Sequence, residues 1–320
     1  MLLQRSSGKN STTVRSETAI RLTRAALQTA FVFSEQLGAG LAERLFTTPR
    51  HHARPARERA ILATARPFTI DVALRSPRWH GQHRQLAAWR WGHGPVVLLV
   101  HGWEGRGSQL GALVEPLVAA GLSVVTFDAP AHGDSPGSQL YLTDHADSVV
   151  DVVAAIGPVH AIVAHSFGAA AVLLAQSRGN VDAPRNVMIA PNAVVDDAVA
   201  KFARVVALDD RDRTTVEAQL AQQSGIGVDS LRLDQLVGVR ESSLLVIHDC
   251  GDREVPFEDG QRLAMLWPDA QLVATDGLGH RRILRDPSVI AAVVGAVREG
   301  LPPPASDLVR EVDRWLDAHA

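Results

Sequence analysis

Short apolar segments alternate with longer segments of helical periodicity through most of the chain. Val96–Val100 is apolar at every position, as is expected for a strand covered on both faces of a parallel sheet. Further short strands are predicted at 67–72, 85–91, 122–127, 161–164, 186–190, 243–247 and 270–274. Segments of helical spacing separate most of these strands, for example Gln109–Ala120, where Ser108 is placed to cap the helix. This alternation predicts an α/β fold with a mostly parallel sheet flanked by helices.

Three segments depart from this pattern. Residues 1–66 form a polar tail and a helical extension, whose apolar residues from Glu17 to Phe46 are expected to form two helices divided near Gly38 and Gly40. An insertion at about 192–240 contains helical patterns and no strand, which predicts a small helical cap over the carboxyl ends of the strands. A Pro-rich linker and an amphipathic helix occupy 301–320. The α/β domain is therefore expected at 67–300, with extra helices at both ends.

The terminal helices are open to two interpretations. The extension either folds back on the core or forms a membrane-surface or dimerisation element, which would make the protein a homodimer through its terminal helices. Folding back is the simpler expectation, because an amphipathic helix near a large core buries its apolar face there.

Composition narrows the function classes. The chain has 320 residues, is 46% hydrophobic and carries a net charge of −3, so it has no general bias toward nucleic acid or a membrane surface. One cysteine excludes an intramolecular disulfide, and no apolar run approaches the ~20 residues of a membrane span. Metal-ligand spacing and a dinucleotide glycine pattern are both missing, so we expect no metal and no cofactor. A cytoplasmic location without stable membrane insertion is expected.

One serine stands where a buried strand changes abruptly into a helix. The segment His160–Leu174 contains Ala164-His165-Ser166-Phe167-Gly168 between an apolar run and a series of helix formers. A turn this tight presents the serine hydroxyl at the start of the helix, and its usual pattern is G-x-S-x-G. Alanine replaces the first glycine here, and that position requires only a small residue for close strand–helix packing. Ser166 is therefore a candidate nucleophile.

A serine hydroxyl needs a base to take its proton and a third group to orient that base. The loop after the strand at 243–247 offers Asp249 and Asp252, and the loop after 270–274 carries His280. The chain order is then serine, aspartate, histidine. From the residues alone, either aspartate can be the orienting acid.

Four motifs in this order resemble the α/β-hydrolase superfamily, in its serine esterase-like branch. They are His101-Gly-Trp-Glu-Gly after one strand, Asp128-Ala-Pro-Ala-His-Gly-Asp-Ser135 after the next, the turn at Ser166, and the acid and histidine loops. The resemblance covers roughly Pro67 to Gly300. It implies that Ser166 is the nucleophile, His280 the general base and Asp252 the acid, which stands in a D-x-x-V-P setting; Asp249 remains the alternative.

The resemblance also implies an oxyanion hole and an activity. The donors are expected to be the backbone N–H groups of Phe167 and Trp103. The implied protein is a serine hydrolase with a catalytic triad and nucleophile elbow, a carboxylesterase that cleaves small to medium acyl esters through an acyl-enzyme. A serine at the elbow disfavours the haloalkane- and epoxide-cleaving branches. The alternatives are a thioesterase, lactonase or C–C bond hydrolase with the same triad, and a non-catalytic ligand-binding protein. Nothing in the sequence predicts the physiological substrate.

Overall fold

One sheet of eight strands organises the protein. The computed structural model describes residues 7–195, 198–238 and 241–302, with side chains from residue 17 onward, so the helix expected after the Pro-rich linker lies outside the described residues. The strands are β1 (Arg66–Leu74), β2 (Gln82–Trp91), β3 (Val96–Val100), β4 (Ser123–Phe127), β5 (Val159–His165), β6 (Arg185–Ile189), β7 (Ser243–Asp249) and β8 (Gln271–Thr275). Their order is β1-β2-β4-β3-β5-β6-β7-β8. Only β1 and β2 run antiparallel to their neighbours, so the predicted mostly parallel sheet is confirmed.

Twelve α-helices surround the sheet in the described residues. They are α1 (Ser7–Phe33), α2 (Glu35–Thr47), α3 (Ala56–Ala63), α4 (Val114–Ala119), α5 (Leu142–Ile156), α6 (Phe167–Ser177), α7 (Ala198–Val206), α8 (Asp210–Ser224), α9 (Leu233–Val237), α10 (Phe257–Leu266), α11 (Gly279–Arg282) and α12 (Pro287–Arg298). Short 3₁₀ helices occupy Gly107–Leu113, Val228–Leu231 and Ile283–Arg285. None of the helices in this part of the chain has both the length and the hydropathy to cross a membrane.

The central strands are apolar throughout because both of their faces are covered. Leu98 and Val100 of β3 belong to the core cluster on one face of the sheet, whereas Val97 and Leu99 belong to the cluster on the other. This division follows from the alternation of side chains along a strand. All five residues of β4 are buried in the same way. Strand β8, at the edge, exposes four of its five residues.

The helical extension breaks at Ser34, not at the expected glycines. Ser34 has extended backbone angles (φ −167°, ψ 136°) and its side chain accepts the N–H of Leu37, so it caps α2 and ends α1. Gly38 instead lies inside α2, where a Cβ would be 2.3 Å from the ring of Phe31. The glycine therefore permits the close approach of α1 and α2. The predicted helix break at Gly38 and Gly40 is wrong, because Gly38 serves helix packing and does not end a helix.

The helix predicted at Gln109–Ala120 is also different. Residues Gly107–Leu113 form a 3₁₀ helix, and an α-helix begins only at Val114. Ser108 does not cap it, because the hydroxyl of Ser108 donates to the buried carboxylate of Glu58 at 2.8 Å. A contact with a residue fifty positions earlier thus replaces the local cap.

The extension folds back and joins the cap. Helices α7, α8 and α9 lie between β6 and β7, where the insertion was expected, and α2 packs on α8. Leu27 and Ala42 of the extension share a core cluster with Val199, Val216 and Tyr141. Beneath this cluster the carboxyl ends of the parallel strands meet, and the site described next lies there.

Candidate active site

Ser166 occupies the sharp turn between β5 and α6. Its backbone has φ 54° and ψ −124°, a region that L-residues rarely adopt, and its N–H donates to the carbonyl of Ile189 at 3.1 Å. Position 168 requires glycine, because a Cβ there would lie 2.5 Å from the carbonyl oxygen of His101. Ala164, which stands at the usual position of the first glycine, is fully buried. The turn therefore accommodates alanine at 164 and requires glycine at 168.

The structure brings Ser166, His280 and Asp252 together from three loops. His280, in α11 after β8, has its Nε2 atom 3.0 Å from the Oγ atom of Ser166. Its Nδ1 atom is 2.7 Å from Oδ2 of Asp252, which follows β7. A neutral imidazole with its proton on Nδ1 donates to Asp252 and leaves Nε2 free to accept the proton of the serine hydroxyl. The arrangement is suited to proton transfer.

The surroundings of Asp252 keep it ionised. Its side chain is fully buried, which by itself would raise its pKa, but hydrogen bonds from His248, from His280 and from the N–H groups of Val255 and Glu254 outweigh this effect. The pKa of Asp252 therefore lies well below its ordinary value. A permanently charged carboxylate at this place holds the Nδ1 proton and stabilises the imidazolium that forms during proton transfer.

Asp249 is buried beside Asp252 but contacts different groups. Its Oδ2 atom accepts the N–H of Leu278 at 2.8 Å and the hydroxyl of Thr275 at 2.9 Å. Its Oδ1 atom accepts the N–H of Gly251. Asp249 therefore ties the loop that carries His280 to the loop that carries Asp252, whereas Asp252 is the aspartate that contacts the imidazole.

The loop after β3 lies against the serine. A Cβ on Gly102 would be 2.8 Å from the Cβ of Ser166, so only glycine permits this approach. The expected donors Trp103 and Phe167 flank this contact, and their side-chain rings meet edge to face with centroids 5.7 Å apart. Among the described residues, neither backbone N–H has an acceptor within the chain. Two free N–H groups beside a nucleophile are suited to binding an oxyanion.

Buried histidines hold the loop after β3 in place through hydrogen bonds to the backbone. Nε2 of His101 accepts the N–H of Ala129 at 2.9 Å, and Nε2 of His132 accepts the N–H of Glu104 at 3.1 Å. Burial, reinforced by neighbouring histidines, lowers the pKa of His101 well below its ordinary value and that of His132 to about 4. Both rings are therefore neutral and act as hydrogen-bonding supports. His165, beside the serine, bonds to the carbonyl of His280 at 3.0 Å and likewise holds a loop in place.

A cleft of about 580 Å³ opens directly onto Ser166 and His280. One wall belongs to the core domain and the other to the segment between α2 and α3, which is held to the core by ion pairs such as Arg54 with Asp128 at 3.2 Å. The charged residues that line the cleft are Arg50, Arg57, Glu58, Glu104, Arg106, Glu254, Arg281 and Arg285.

A second cavity, of about 410 Å³, lies under the cap and is mostly apolar. Trp103 and Asn192 line both this cavity and the cleft, so they mark the place where the two adjoin. The side chains that shape the apolar cavity come from the extension, the core and the cap, and they include Leu45, Phe46, Phe167, Val199, Phe202, Leu220 and Ile226. Both volumes are in the range of small-molecule sites.

The sequence reasoning missed three kinds of site residue. Leu45, Phe46 and Arg57 of the extension line the two cavities, although the extension lies outside the motifs. Asn192 lies at their junction, with its N–H donating to the carbonyl of Ser166 at 3.2 Å. His248 contacts Asp252. The available signal for His248 is a histidine directly after the apolar run 244–247 of β7, but no local pattern marks the others.

No cluster of three or more potential metal ligands occurs among the described residues. The groups near Ser166 are instead engaged with each other or with the backbone. The chemistry that this arrangement can perform is proton transfer from a serine hydroxyl, with two N–H donors beside that hydroxyl.

Comparison with known proteins places this chain in a family. Residues 97–293, well over half of the chain, match the family model described as the alpha/beta hydrolase family. The protein therefore belongs to the α/β hydrolases, and the resemblance seen in its motifs is confirmed.

Individual relatives are distant. The pimeloyl-[acyl-carrier protein] methyl ester esterase of Aromatoleum aromaticum is 28% identical over 249 residues, which cover 64% of this chain and 99% of that protein. Among solved structures, Rv0554 of Mycobacterium tuberculosis has a TM-score of 0.58 at 18% identity, covering 72% of this chain and 98% of the other. Est1E of Butyrivibrio proteoclasticus, solved with ferulic acid, has a TM-score of 0.53 at 20% identity, covering 68% and 94%. The two structures show the shared fold.

Proposed function

We propose that the protein is a serine hydrolase that cleaves carboxylic esters of small to medium acyl chains through an acyl-enzyme on Ser166. The observation that carries this proposal is the hydrogen-bonded series from Ser166 through His280 to Asp252, with distances of 3.0 and 2.7 Å. Its similarity to an esterase acting on a methyl ester adds support.

In the first half of the proposed reaction, Oγ of Ser166 attacks the ester carbonyl carbon while Nε2 of His280 accepts the hydroxyl proton. The carbonyl oxygen becomes an oxyanion that receives hydrogen bonds from the N–H groups of Trp103 and Phe167, each worth on the order of 10²–10³ in rate. The tetrahedral intermediate then collapses, and the C–O bond to the alcohol breaks. His280 returns its proton to the departing oxygen, and Asp252 stabilises the imidazolium throughout.

In the second half, a water molecule replaces the alcohol. His280 removes a proton from this water, whose oxygen attacks the acyl carbon, and a second oxyanion forms in the same position. Collapse breaks the bond to Oγ of Ser166, which regains its proton from His280, and the carboxylic acid is released. The same residues thus serve both halves in turn.

The two cavities suggest how an ester lies in the site. The alcohol must be near His280, because that residue delivers a proton to the leaving oxygen, so the alcohol belongs in the cleft lined by His280. The acyl chain then extends past Trp103 into the apolar cavity of about 410 Å³. Burial of the chain among Phe46, Phe167 and Phe202 would contribute roughly 0.8 kcal/mol per CH₂ group to binding.

The test combines covalent labelling with kinetics. Incubation with a fluorophosphonate probe is expected to label Ser166, identified by peptide mapping, and p-nitrophenyl esters from acetate to dodecanoate are expected to be hydrolysed, with a maximum at a short or medium chain. Ser166→Ala should lower kcat by up to ~10⁶. The control is Ser177→Ala, since Ser177 is exposed at the end of the same helix.

Two outcomes contradict the proposal. Folded protein that neither takes the label nor hydrolyses any ester in the series would favour the ligand-binding alternative. Turnover that survives Ser166→Ala unchanged would exclude the serine as nucleophile.

A further inference from the structure

The charges that line the cleft do not balance. Five arginines and three glutamates line it. Each glutamate is paired: Glu58 with Arg106 at 2.6 Å, Glu104 with Arg50 at 2.8 Å, and Glu254 with Arg281 at 2.9 Å. Two guanidinium groups in the cleft, those of Arg57 and Arg285, have no ion-pair partner among the described residues.

The two unpaired arginines belong to separate elements that line the cleft. Arg57 lies in α3, at the end of the extension, and Arg285 lies in the 3₁₀ helix that follows the His280 helix. Both side chains belong to exposed residues, so they can reach a bound molecule without first losing a protein partner. Guanidinium groups present a planar set of donors that matches carboxylate and phosphate oxygens.

In the proposed function, these arginines lie on the leaving-group side of the scissile bond. The cleft contains His280, which in the proposed function protonates the leaving oxygen, so the leaving group occupies the cleft. Among the described residues, no arginine lines the apolar cavity beyond Trp103. The arginines therefore lie on the leaving-group side, and the lining of the acyl side is mostly apolar.

We propose that the leaving group of the substrate carries an anionic substituent, a phosphate or a carboxylate, which Arg57 and Arg285 bind. This proposal rests on the proposed function, because it assigns the cleft to the leaving group. The substrate class is then an apolar acyl ester of an anionic alcohol. The three ion pairs along the same walls offset the charge of the neighbouring arginines.

The experiment compares three esters with one acyl chain. Hexanoyl esters of 4-hydroxybenzoate, of 4-hydroxyphenyl phosphate and of the neutral methyl 4-hydroxybenzoate are supplied to the wild type and to the double variant R57Q/R285Q. The measured quantity is the ratio of kcat/KM for each anionic ester to that for the neutral ester. We expect this ratio to fall about tenfold in the double variant, mainly through KM, because the two charges are exposed to solvent.

The matched control is R66Q/R262Q, which removes the same net charge from exposed positions that do not line the cleft. It should keep the ratios of the wild type. The wild-type ratios should also decline as salt rises from 0.02 to 0.5 M, values chosen to shorten the Debye length from about 20 Å to about 4 Å.

The outcomes separate this proposal from the proposed function. A lower ratio in R57Q/R285Q with either anionic ester supports the proposal, and the ester affected tells phosphate from carboxylate recognition. Unchanged ratios with both anionic esters, while the neutral ester is hydrolysed, overturn the anionic leaving group alone. No turnover of any of the three esters by the wild type overturns the proposed function and this inference with it.

Discussion

Asp249 and Asp252 lie three residues apart and are both buried, yet their contacts predict different effects on activity. Asp252→Asn retains the shape of the side chain but removes the charge that holds the Nδ1 proton of His280. We expect kcat to fall about 10³–10⁴-fold, because the imidazole then loses its productive tautomer and the stabilisation of its charged form.

Asp249→Asn is the matched comparison. It weakens the bonds to Leu278 and Thr275, which hold the histidine loop, and leaves the contact of Asp252 with His280 in place. We expect a lower melting temperature and a loss in kcat of about tenfold or less. Steady-state kinetics with p-nitrophenyl hexanoate and thermal unfolding measure both effects. A larger loss of kcat in the Asp249 variant would reverse the assignment of the acid.

At the scale of single residues, the sequence predicts the groups that follow strands. Ser166 and His280 are predicted as site residues because chemistry-bearing side chains in an α/β protein lie at the carboxyl ends of strands, and these ends meet. The structure places Nε2 of His280 3.0 Å from Oγ of Ser166. The choice between Asp249 and Asp252 was open from the residues, since both follow the same strand, and only the resemblance favoured Asp252. Asn192 and Arg57 were missed because their positions depend on how separate segments pack.

Among the elements, Glu43 of α2 joins three parts of the molecule. The carboxylate of Glu43 accepts the hydroxyl of Tyr141, at the start of α5, and the side-chain amide of Gln219 in α8 at 2.7 Å. Glu43 is only 4% exposed. Burial, together with the hydrogen bond to this carboxylate, raises the pKa of Tyr141 far above its ordinary value.

Glu43→Ala would remove the acceptor of the buried Tyr141 hydroxyl and of the half-buried Gln219 amide. We expect a loss of about 1–3 kcal/mol in the free energy of unfolding. Because Leu45 and Phe46 of the same helix line the apolar cavity that is proposed to hold the acyl chain, the preference among p-nitrophenyl esters should also broaden toward longer chains.

Glu35→Ala is the control for this prediction. Glu35 also links α2 to α8, through an ion pair with Arg211, but both side chains are exposed. Its loss should cost at most about 1 kcal/mol. Urea unfolding of the two variants measures the difference. Equal effects would show that burial of the Glu43 contact contributes nothing.

The pattern of apolar residues predicts the elements better than it predicts their ends. Strand β3 has the predicted bounds, because a short run of five apolar residues admits little choice. The break of the extension at Ser34 and the 3₁₀ helix after Arg106 were not predicted. In both cases a contact between segments, Gly38 with Phe31 or Ser108 with Glu58, outweighs the local preference that the sequence displays.

For the whole molecule, buried histidines determine the response to acid. Four buried histidines have a pKa that burial lowers below the ordinary value, namely His101, His132, His145 and His165. The pKa of His145 and that of His165 are lowered to about 3. A group whose pKa is lowered by folding contributes stability above its unfolded pKa of about 6.5, and this stability is lost as the pH falls. Each such histidine changes the free energy of unfolding by about 1.4 kcal/mol per pH unit below that point.

Four buried carboxyl groups act in the opposite direction over part of this range. Burial raises the pKa of Asp128 and of Asp144 to about 6, and it also raises the pKa of Asp147 and of Asp259, so these groups take up protons more readily in the folded protein. The pKa values of the histidines are displaced further, and the displacement begins nearer to neutral pH, so the net expectation is a decline in stability from pH 7 to pH 4.

His145→Phe tests the histidine contribution. The ring of His145 is fully buried, stacks at 5.8 Å from that of Phe167, and neither of its nitrogens has a hydrogen-bond partner among the described residues. We expect the variant to be more stable than the wild type, by roughly 2 kcal/mol more at pH 5 than at pH 8. Denaturant unfolding at several pH values measures this difference.

The control is His93→Gln, because His93 is exposed in the turn before β3. It should leave the pH profile as it is in the wild type. A His145→Phe profile parallel to that of the wild type would contradict the expected role of the buried ring.

The contact between α2 and α8 has a consequence for the order of events during synthesis. The ribosome completes Thr47 long before it reaches Asp210, and at typical rates of translation the interval is roughly ten to thirty seconds. Throughout that time Ala42 and Glu43 lack their contacts with Val216 and Gln219 of α8. Helix α2 therefore completes its packing only after the cap has emerged, and the apolar cavity takes its final shape at the same stage.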